Sequence, residues 1–316
     1  MLVKFWGVRG SIPAPIRTEQ VSAKIIKALS LAKNVDLEDE EAISSFVQGL
    51  PFEIKGTYGG NTACVEVRSG ETIIILDAGS GVRDLGLSLM KDKFDEGEGT
   101  AHFLISHTHW DHIQGFPYFV PALVSGNRIL IYSPKEDLAQ RFIAQQMDQD
   151  MFPIRLETMG AEIEFVRLAE QNVDIGGLSV SHMLMRHPGG SYAYRLEENG
   201  RALIYATDAE YPKLNQTAIQ PYLDFFTGAD TLIFDAMYTF SEAVAKIGWG
   251  HGAVYVGVDL AVKAGVKRLV LFHHEPTYDD DKFKEILEKT KTYYNLVREN
   301  TDLEIIIAME GLELEI

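Results

Sequence analysis

The segment Ser106-His107-Thr108-His109-Trp110-Asp111-His112 constrains this chain more than any other. It follows Ala101 to Ile105, a short apolar run that reads as a strand. In extended backbone, side chains two residues apart point the same way, so His107 and His109 can serve one centre together. A turn then brings Asp111 and His112 toward a second. Ionisable groups this crowded are rarely buried without partners. Neutral imidazoles with carboxylates suit zinc, iron or manganese better than a purely magnesium site. The fold must therefore deliver matching donors to the end of this strand.

Such donors recur along the chain. Asp77, Asp208, Asp235 and His273 each fall just after a predicted strand: Thr72 to Leu76, Ala202 to Ala206, Thr231 to Phe234 and Arg268 to Phe272. Further strands are predicted at Leu2 to Val8, Thr62 to Val67, Arg128 to Tyr132, Glu162 to Val166, Leu178 to Leu184, Ser191 to Leu196 and Ile305 to Met309. Helices are predicted at Val82 to Met90, Lys135 to Gln149, Ala253 to Ala264 and Asp280 to Arg298. Strand-rich halves, each followed by helices, suggest two mixed sheets packed together with helices outside. The strand-end residues then converge along one edge. Residues 12–56 interrupt the sheet pattern, with Val21, Ile25, Ala28, Leu29 and Ala32 at helical spacing. They read as a helical insertion in a single domain spanning 1–316, serving as packing decoration, lid or partner surface.

Charge narrows the ligand. A formal net charge of −17 sets up a long-range field that repels polyphosphate backbones, which favours a small anionic substrate over long nucleic acid. The apolar stretch Phe116 to Val124 carries two prolines and is too short to cross a bilayer. Met1 to Gly10 holds Lys4 and Arg9, and no apolar segment of signal length follows. A cytoplasmic protein without a membrane partner is expected, with a homo-oligomer left open. The single cysteine, Cys64, excludes an internal disulfide and lies in an apolar alternation that suits a buried thiol. Neither a Gly-x-Ser-x-Gly elbow nor a Walker phosphate loop is present.

On these residues the chain resembles the metallo-beta-lactamase superfamily, whose signature is His-x-His-x-Asp-His. Tyr58-Gly59-Gly60-Asn61-Thr62, Leu76-Asp77-Ala78-Gly79 and Tyr205-Ala206-Thr207-Asp208 also match. Within the superfamily it looks most like the phosphodiesterase branch containing ribonuclease Z and related cyclic phosphodiesterases. The resemblance spans nearly the whole chain outside 12–56 and 133–160. It implies an α+β fold, a four-layer αββα sandwich. It also implies two divalent metal ions, zinc foremost with manganese or iron as alternatives, and a hydroxide held between them as nucleophile. Carried over, one ion would take His107, His109 and His187. The other would take Asp111, His112 and His273, with Asp208 bridging. His187 precedes the turn Pro188-Gly189-Gly190, whereas its competitor His182 lies inside an alternating strand. Asp208 alone could instead cap the following helix. His273 and His274 are hard to separate by pattern; the family's spacing from His251 assigns His273, leaving His274 as a supporting or substrate-facing group.

The resemblance also supplies a proton donor. His251, in Trp249-Gly250-His251-Gly252, corresponds to the catalytic histidine of ribonuclease Z-like enzymes and is the candidate general acid. Its bland alternative is a turn cap among glycines. Asp235 matches the position of that branch's partner glutamate, but the shorter side chain and the loss of the family's threonine depart from the pattern. Asp111 is expected to orient the nucleophile as well as bind metal. Asn61 is expected to touch substrate or brace the metal loop, with Asp77, Arg9 and Ser11 supporting the same edge. Trp110 and Phe116 are expected in core or pocket wall. The expected activity is phosphodiester hydrolysis of a cyclic nucleotide or other small phosphodiester. Alternatives are a ribonuclease Z-like RNA endonuclease, which the net acidity and the lack of a glycine-rich basic arm oppose, a thioester or lactam hydrolase, and a non-enzymatic metal-binding regulatory protein. The oxygen-reducing diiron branch is disfavoured, because His109 stands where that branch usually carries glutamate.

Overall fold

Strands whose two faces are both covered lose the polar alternation of a half-exposed strand and become continuously apolar. Thr231–Asp235 and Thr72–Leu76 are of this kind, almost wholly buried along their length. They sit at the middle of two sheets in the computed structural model, which describes residues 1–142, 148, 150, 152–298 and 301–316.

The first sheet contains β1 (Leu2–Gly7), β2 (Cys64–Ser69), β3 (Thr72–Leu76), β4 (Thr100–Leu104), β5 (Arg128–Ser133), β6 (Glu162–Arg167) and β14 (Glu313–Glu315), in spatial order β14-β1-β2-β3-β4-β5-β6. The second contains β7 (Asn172–Ile175), β8 (Leu178–Met185), β9 (Ser191–Glu198), β10 (Arg201–Ala206), β11 (Thr231–Asp235), β12 (Arg268–Phe272) and β13 (Glu304–Ile307), in order β13-β12-β11-β10-β9-β8-β7. Each sheet is antiparallel in one half and parallel in the other. The parallel runs are β3 to β6 and β10 to β13.

Between the sheets, Phe5, Val65, Ile74 and Leu76 meet Leu203, Tyr205, Ile233, Val270 and Phe272 in one buried cluster. Phe272 stands at its centre, with ring centroids 6.1 Å from Phe5 and 5.7 Å from Tyr205. Truncating such a residue to alanine costs about 3–5 kcal/mol. On the outer face of the first sheet, α4 (Val82–Leu89) buries Val82, Leu85 and Leu89 against Ile75 and Phe103. The second sheet is covered by α7 (Gln216–Phe226), α9 (Val254–Ala264) and α10 (Asp280–Val297). The result is the four-layer αββα sandwich that the sequence implied.

The insertion forms α1 (Thr18–Leu31), α2 (Glu40–Gly49) and α3 (Phe52–Lys55). None of the three contains a buried residue. Ion pairs tie the insertion to α10: Lys24 to Asp280 at 2.8 Å, Lys27 to Asp281 at 2.7 Å and Lys284 to Glu53 at 2.5 Å. Two shorter helices complete the elements used below, α5 (Trp110–Ile113) and α8 (Phe240–Ala245). Of the helix expected over Lys135 to Gln149, α6 (Leu138–Phe142) is observed, and 143–147 and 149 lie outside the described residues. Cys64 is buried, as its alternation suggested, and burial pushes its thiol pKa well above the ordinary value. Among the described residues, no helix is long and apolar enough to cross a membrane.

Candidate metal centre

The carboxyl ends of parallel strands are where αβ sheets gather functional groups, and here both sheets open toward the same place. Asp77 follows β3, Asp208 follows β10 and His273 follows β12. All three have left-handed backbone, with φ of 60°, 52° and 60°. That conformation is uncommon outside glycine and turns the chain sharply at the strand end. After β4 the chain enters the histidine segment. Ser106 N–H and Oγ–H donate to Asp77 at 2.7 Å each, and the single helical turn of α5 sets Asp111 and His112 on the inside.

Two donor groups result. His107, His109, His187 and Asp208 form one; Asp111, His112 and His273 form the other; within each group the facing atoms lie within 4.8 Å of one another. Asp208 belongs to both sides. Its Oδ1 lies 3.7 Å from Nε2 of His107 and of His187, while its Oδ2 lies 3.1 Å from His112 Nε2 and 3.2 Å from His273 Nε2. The helix that follows, α7, is capped by Asn215, whose side chain accepts from Ala218 N–H. The capping alternative for Asp208 is thereby replaced.

Hydrogen bonds on the far side of each ring decide which nitrogen faces inward. His112 gives Nδ1 to Asp77 Oδ2 at 2.7 Å, and His187 gives Nδ1 to the Gly250 carbonyl at 2.9 Å. Their Nε2 lone pairs then point into the centre. His187 Nε2 meets His109 Nδ1 at 3.0 Å, and His112 Nε2 meets His273 Nε2 at 3.2 Å. Facing nitrogen lone pairs repel unless a proton or a cation lies between them. His107 Nε2 is buried and has no hydrogen-bond partner among the described residues. This donor set fits a divalent metal ion with nitrogen and oxygen ligands.

The charge pattern agrees. Burial, reinforced by neighbouring imidazoles, lowers the pKa values of His107 and His109, so both are neutral. Burial also lowers His187, against the opposing pull of Asp208. Burial alone would raise Asp111 and Asp208, but the adjacent histidines, His112 foremost, hold both well below the usual carboxylate range. For His112, burial would strip the proton, yet Asp208, Asp111 and Asp77 together raise its pKa well above the ordinary value. The carboxylates thus demand positive charge at this spot, which a metal cation supplies in place of the proton.

Residues 72–274, more than half of the chain, match the family model described as the beta-lactamase superfamily domain. The chain belongs to the metallo-beta-lactamase superfamily. A ribonuclease Z of Sulfurisphaera tokodaii is 26% identical over 260 residues, covering 62% of this chain and 84% of that one. Among solved structures, the metallo-beta-lactamase fold protein YhfI from Bacillus subtilis matches with TM-score 0.62 at 17% identity, over 99% of this chain and 98% of that one. The Zn(2+)-bound PqqB of Methylobacterium extorquens matches with TM-score 0.63 at 16% identity, over the full length of both.

Around the centre of this superfamily member, the other expected residues take definite places. His251 lies beside it, with Nδ1 3.0 Å from Asp235 Oδ2 and 3.7 Å from Asp208 Oδ1. Asp235 is itself fixed by Ala209 N–H at 3.2 Å and Met237 N–H at 3.1 Å. Burial would lower His251, but Asp235, followed by Asp208 and Asp111, pushes it up to about 9. Ser11 N–H donates to Asp111 Oδ2 at 2.6 Å. The buried Arg9 guanidinium donates to the carbonyls of Gly59, Glu275 and Tyr278. Asn61 braces loops, accepting from Ser80 Oγ–H and meeting Glu310.

One of the two roles open to His274 falls away. His274 does not face substrate: its Nε2 bonds the Ala308 carbonyl at 2.8 Å and its ring packs on Phe283 at 4.6 Å, and burial lowers its pKa to about 3. A neutral imidazole locked between a strand end and α10 is a packing group. Trp110 is 66% exposed beside His109, whereas Phe116 is in the core against Phe103. His182 stays on β8, its ring against Tyr192. Residue patterns did not single out Tyr205, whose hydroxyl donates to Asp77 Oδ2 at 2.7 Å, nor the glycines behind two of the imidazoles. A Cβ on Gly10 would meet the His273 ring, and one on Gly250 would meet the His187 ring.

Proposed function

We propose that this chain is a metal-dependent phosphodiesterase acting on a cyclic nucleotide or another small phosphodiester. His107, His109 and His187 would hold one divalent ion with Asp208 Oδ1. Asp111, His112 and His273 would hold a second with Asp208 Oδ2, and imidazole-rich sets of this kind favour zinc, with manganese or iron as substitutes. When bound, two such ions lower the pKa of water and neutralise charge on a phosphoryl group. The residues do the rest. Asp111 and Asp208 accept hydrogen bonds from the attacking water and orient it. His251, with Nδ1 engaged by Asp235, keeps Nε2 for the leaving alkoxide and delivers a proton there.

The observation that carries this reading is the His251–Asp235 pair, 3.0 Å apart and adjoining Asp208. A thiolate leaves without a proton and has less need of so firmly held an acid, whereas an alkoxide leaving group requires one. The test uses protein loaded separately with zinc and with manganese, assayed on cyclic nucleotides and a model phosphodiester. H251A should lose turnover by roughly 10²–10⁴-fold with metal content intact; unchanged turnover would reject the assigned acid. A ribonuclease Z-like RNA endonuclease is the second reading, favoured by the sequence likeness to the Sulfurisphaera protein. Precursor transfer RNA assayed beside the small phosphodiesters separates the two, and the net charge of −17 supports the small substrate.

A further inference from the structure

A short surface helix normally turns its apolar stripe inward and its polar stripe out. α8 and its continuation do otherwise. Phe240, Ala243, Val244 and Ile247 stand at i, i+3, i+4 and i+7, one continuous stripe. The opposite side is engaged in the fold: Glu242 accepts from the Thr239 backbone N–H and the Tyr278 hydroxyl, and the Lys246 ammonium lies 4.2 Å from the Tyr238 ring centroid. The apolar stripe is left open, with Phe240 55%, Val244 56% and Ile247 67% exposed. Facing it are Tyr211 and Leu214, and between them runs a groove of about 240 Å³ whose wall includes His251.

Position and charge define what this groove accepts. His251 is the residue shared with the metal centre, adjoining Asp235 and Asp208, so an occupant of the groove touches the imidazole assigned to the leaving group. Among the described residues, no lysine or arginine lines it, and the one carboxylate that does, Glu210, is held by Gly248 N–H at 2.8 Å. Apart from the His251 imidazole at its inner end, no cationic side chain among the described residues lines the groove to offset an anion, and Glu210 opposes one. An extended polyanion cannot follow this exit. We infer that the groove binds the uncharged, apolar organic group of a singly charged phosphodiester on its leaving-alcohol side. This rests on the phosphodiesterase reading above and narrows it to substrates with a hydrophobic alcohol, aryl or alkyl.

The test separates the groove from the metal reading. Metal-loaded protein is titrated calorimetrically with the O-methyl, O-hexyl and O-phenyl monoesters of methylphosphonic acid, which share one singly charged head. A buried methylene is worth about 0.8 kcal/mol, roughly fourfold in affinity, so the hexyl ester should bind at least about tenfold more tightly than the methyl ester. V244D and the milder V244S should flatten that series and leave the methyl ester unchanged. The phenyl ester tells whether an aryl group is preferred over alkyl. In parallel, 1-hexanol is added to metal-free protein while the methyl resonances of Leu214, Val244 and Ile247 are followed, and these should shift. Hexanol shifts without any phosphonate binding would keep the groove and remove the phosphodiesterase reading. Equal affinity for all three esters, indifferent to V244D, would overturn the groove and keep that reading. So would sedimentation showing a dimer that covers Val244 and Ile247.

Discussion

His112 presents Nδ1 to Asp77 Oδ2 at 2.7 Å, and Asp77 in turn is held by Ser106 and by the Tyr205 hydroxyl. One carboxylate thus sets the tautomer and the tilt of an imidazole whose other nitrogen faces the centre. Replacing it should loosen the centre without removing any proposed ligand. D77N is expected to weaken metal affinity by roughly 10–100-fold, measured by competition with a chromophoric chelator. Wild-type affinity in D77N would show that the ring is positioned by something else.

Adjacent histidines should behave oppositely. H273A removes a group 3.1 Å from Asp111 and 3.2 Å from Asp208, so metal content should fall while the fold persists. H274A leaves the buried Ala308 carbonyl without its donor, a loss worth about 1–3 kcal/mol, so stability should fall with metal content unchanged. Metal analysis and urea denaturation on the two variants read this directly. The reverse pattern would exchange their roles.

Gly248 and Gly250 share a φ of 89°, yet only Gly250 lies against the His187 ring. Both alanine variants carry backbone strain of order 1–3 kcal/mol. G250A should in addition displace His187 and lose metal, whereas G248A should keep it. Equal metal content in the two would show that the ring has room to move.

Far from the centre, Asp230 accepts from Arg201 and Lys267 at 2.8 Å each and from Ala202 N–H at 2.9 Å. Burial would raise its pKa, but these donors hold it at about 2, below the ordinary 3.8. A depressed carboxylate stabilises the fold above its unfolded pKa, and that contribution disappears as pH falls through the folded one. The full shift corresponds to about 2 kcal/mol, and solvent screening of the exposed cations reduces this to about 1 kcal/mol. D230N should therefore lower the urea midpoint at pH 7, with the gap to wild type closing between pH 4 and pH 2. A gap constant across that range would contradict the assignment.

Much of the scaffold could be read from the chain. Thr72–Leu76 and Arg268–Phe272 match their predicted limits, because buried parallel strands are unbroken apolar runs with sharp polar ends. The same contrast marked Asp77, Asp208, Asp235 and His273, whose convergence follows once both sheets share an open edge. α7 escaped notice because Pro221 lies within it; neighbouring elements hold the helix despite the missing donor. α8 escaped because it is short and its apolar stripe stays exposed. Tyr205 looked like an ordinary strand aromatic, since nothing local reveals that its hydroxyl ends at Asp77. His274 looked equivalent to His273 until the left-handed turn at His273 separated the directions of the two side chains.

That turn, repeated at Asp77, Asp208 and Ser11, leaves a mark on how such a chain can age. L-residues pay conformational strain in this region that glycine escapes, so natural drift would relax these corners once chemistry no longer held them. A descendant that had abandoned hydrolysis should show glycine or asparagine at 77, 208 and 273 well before its strands decayed, and would be sturdier than its ancestor.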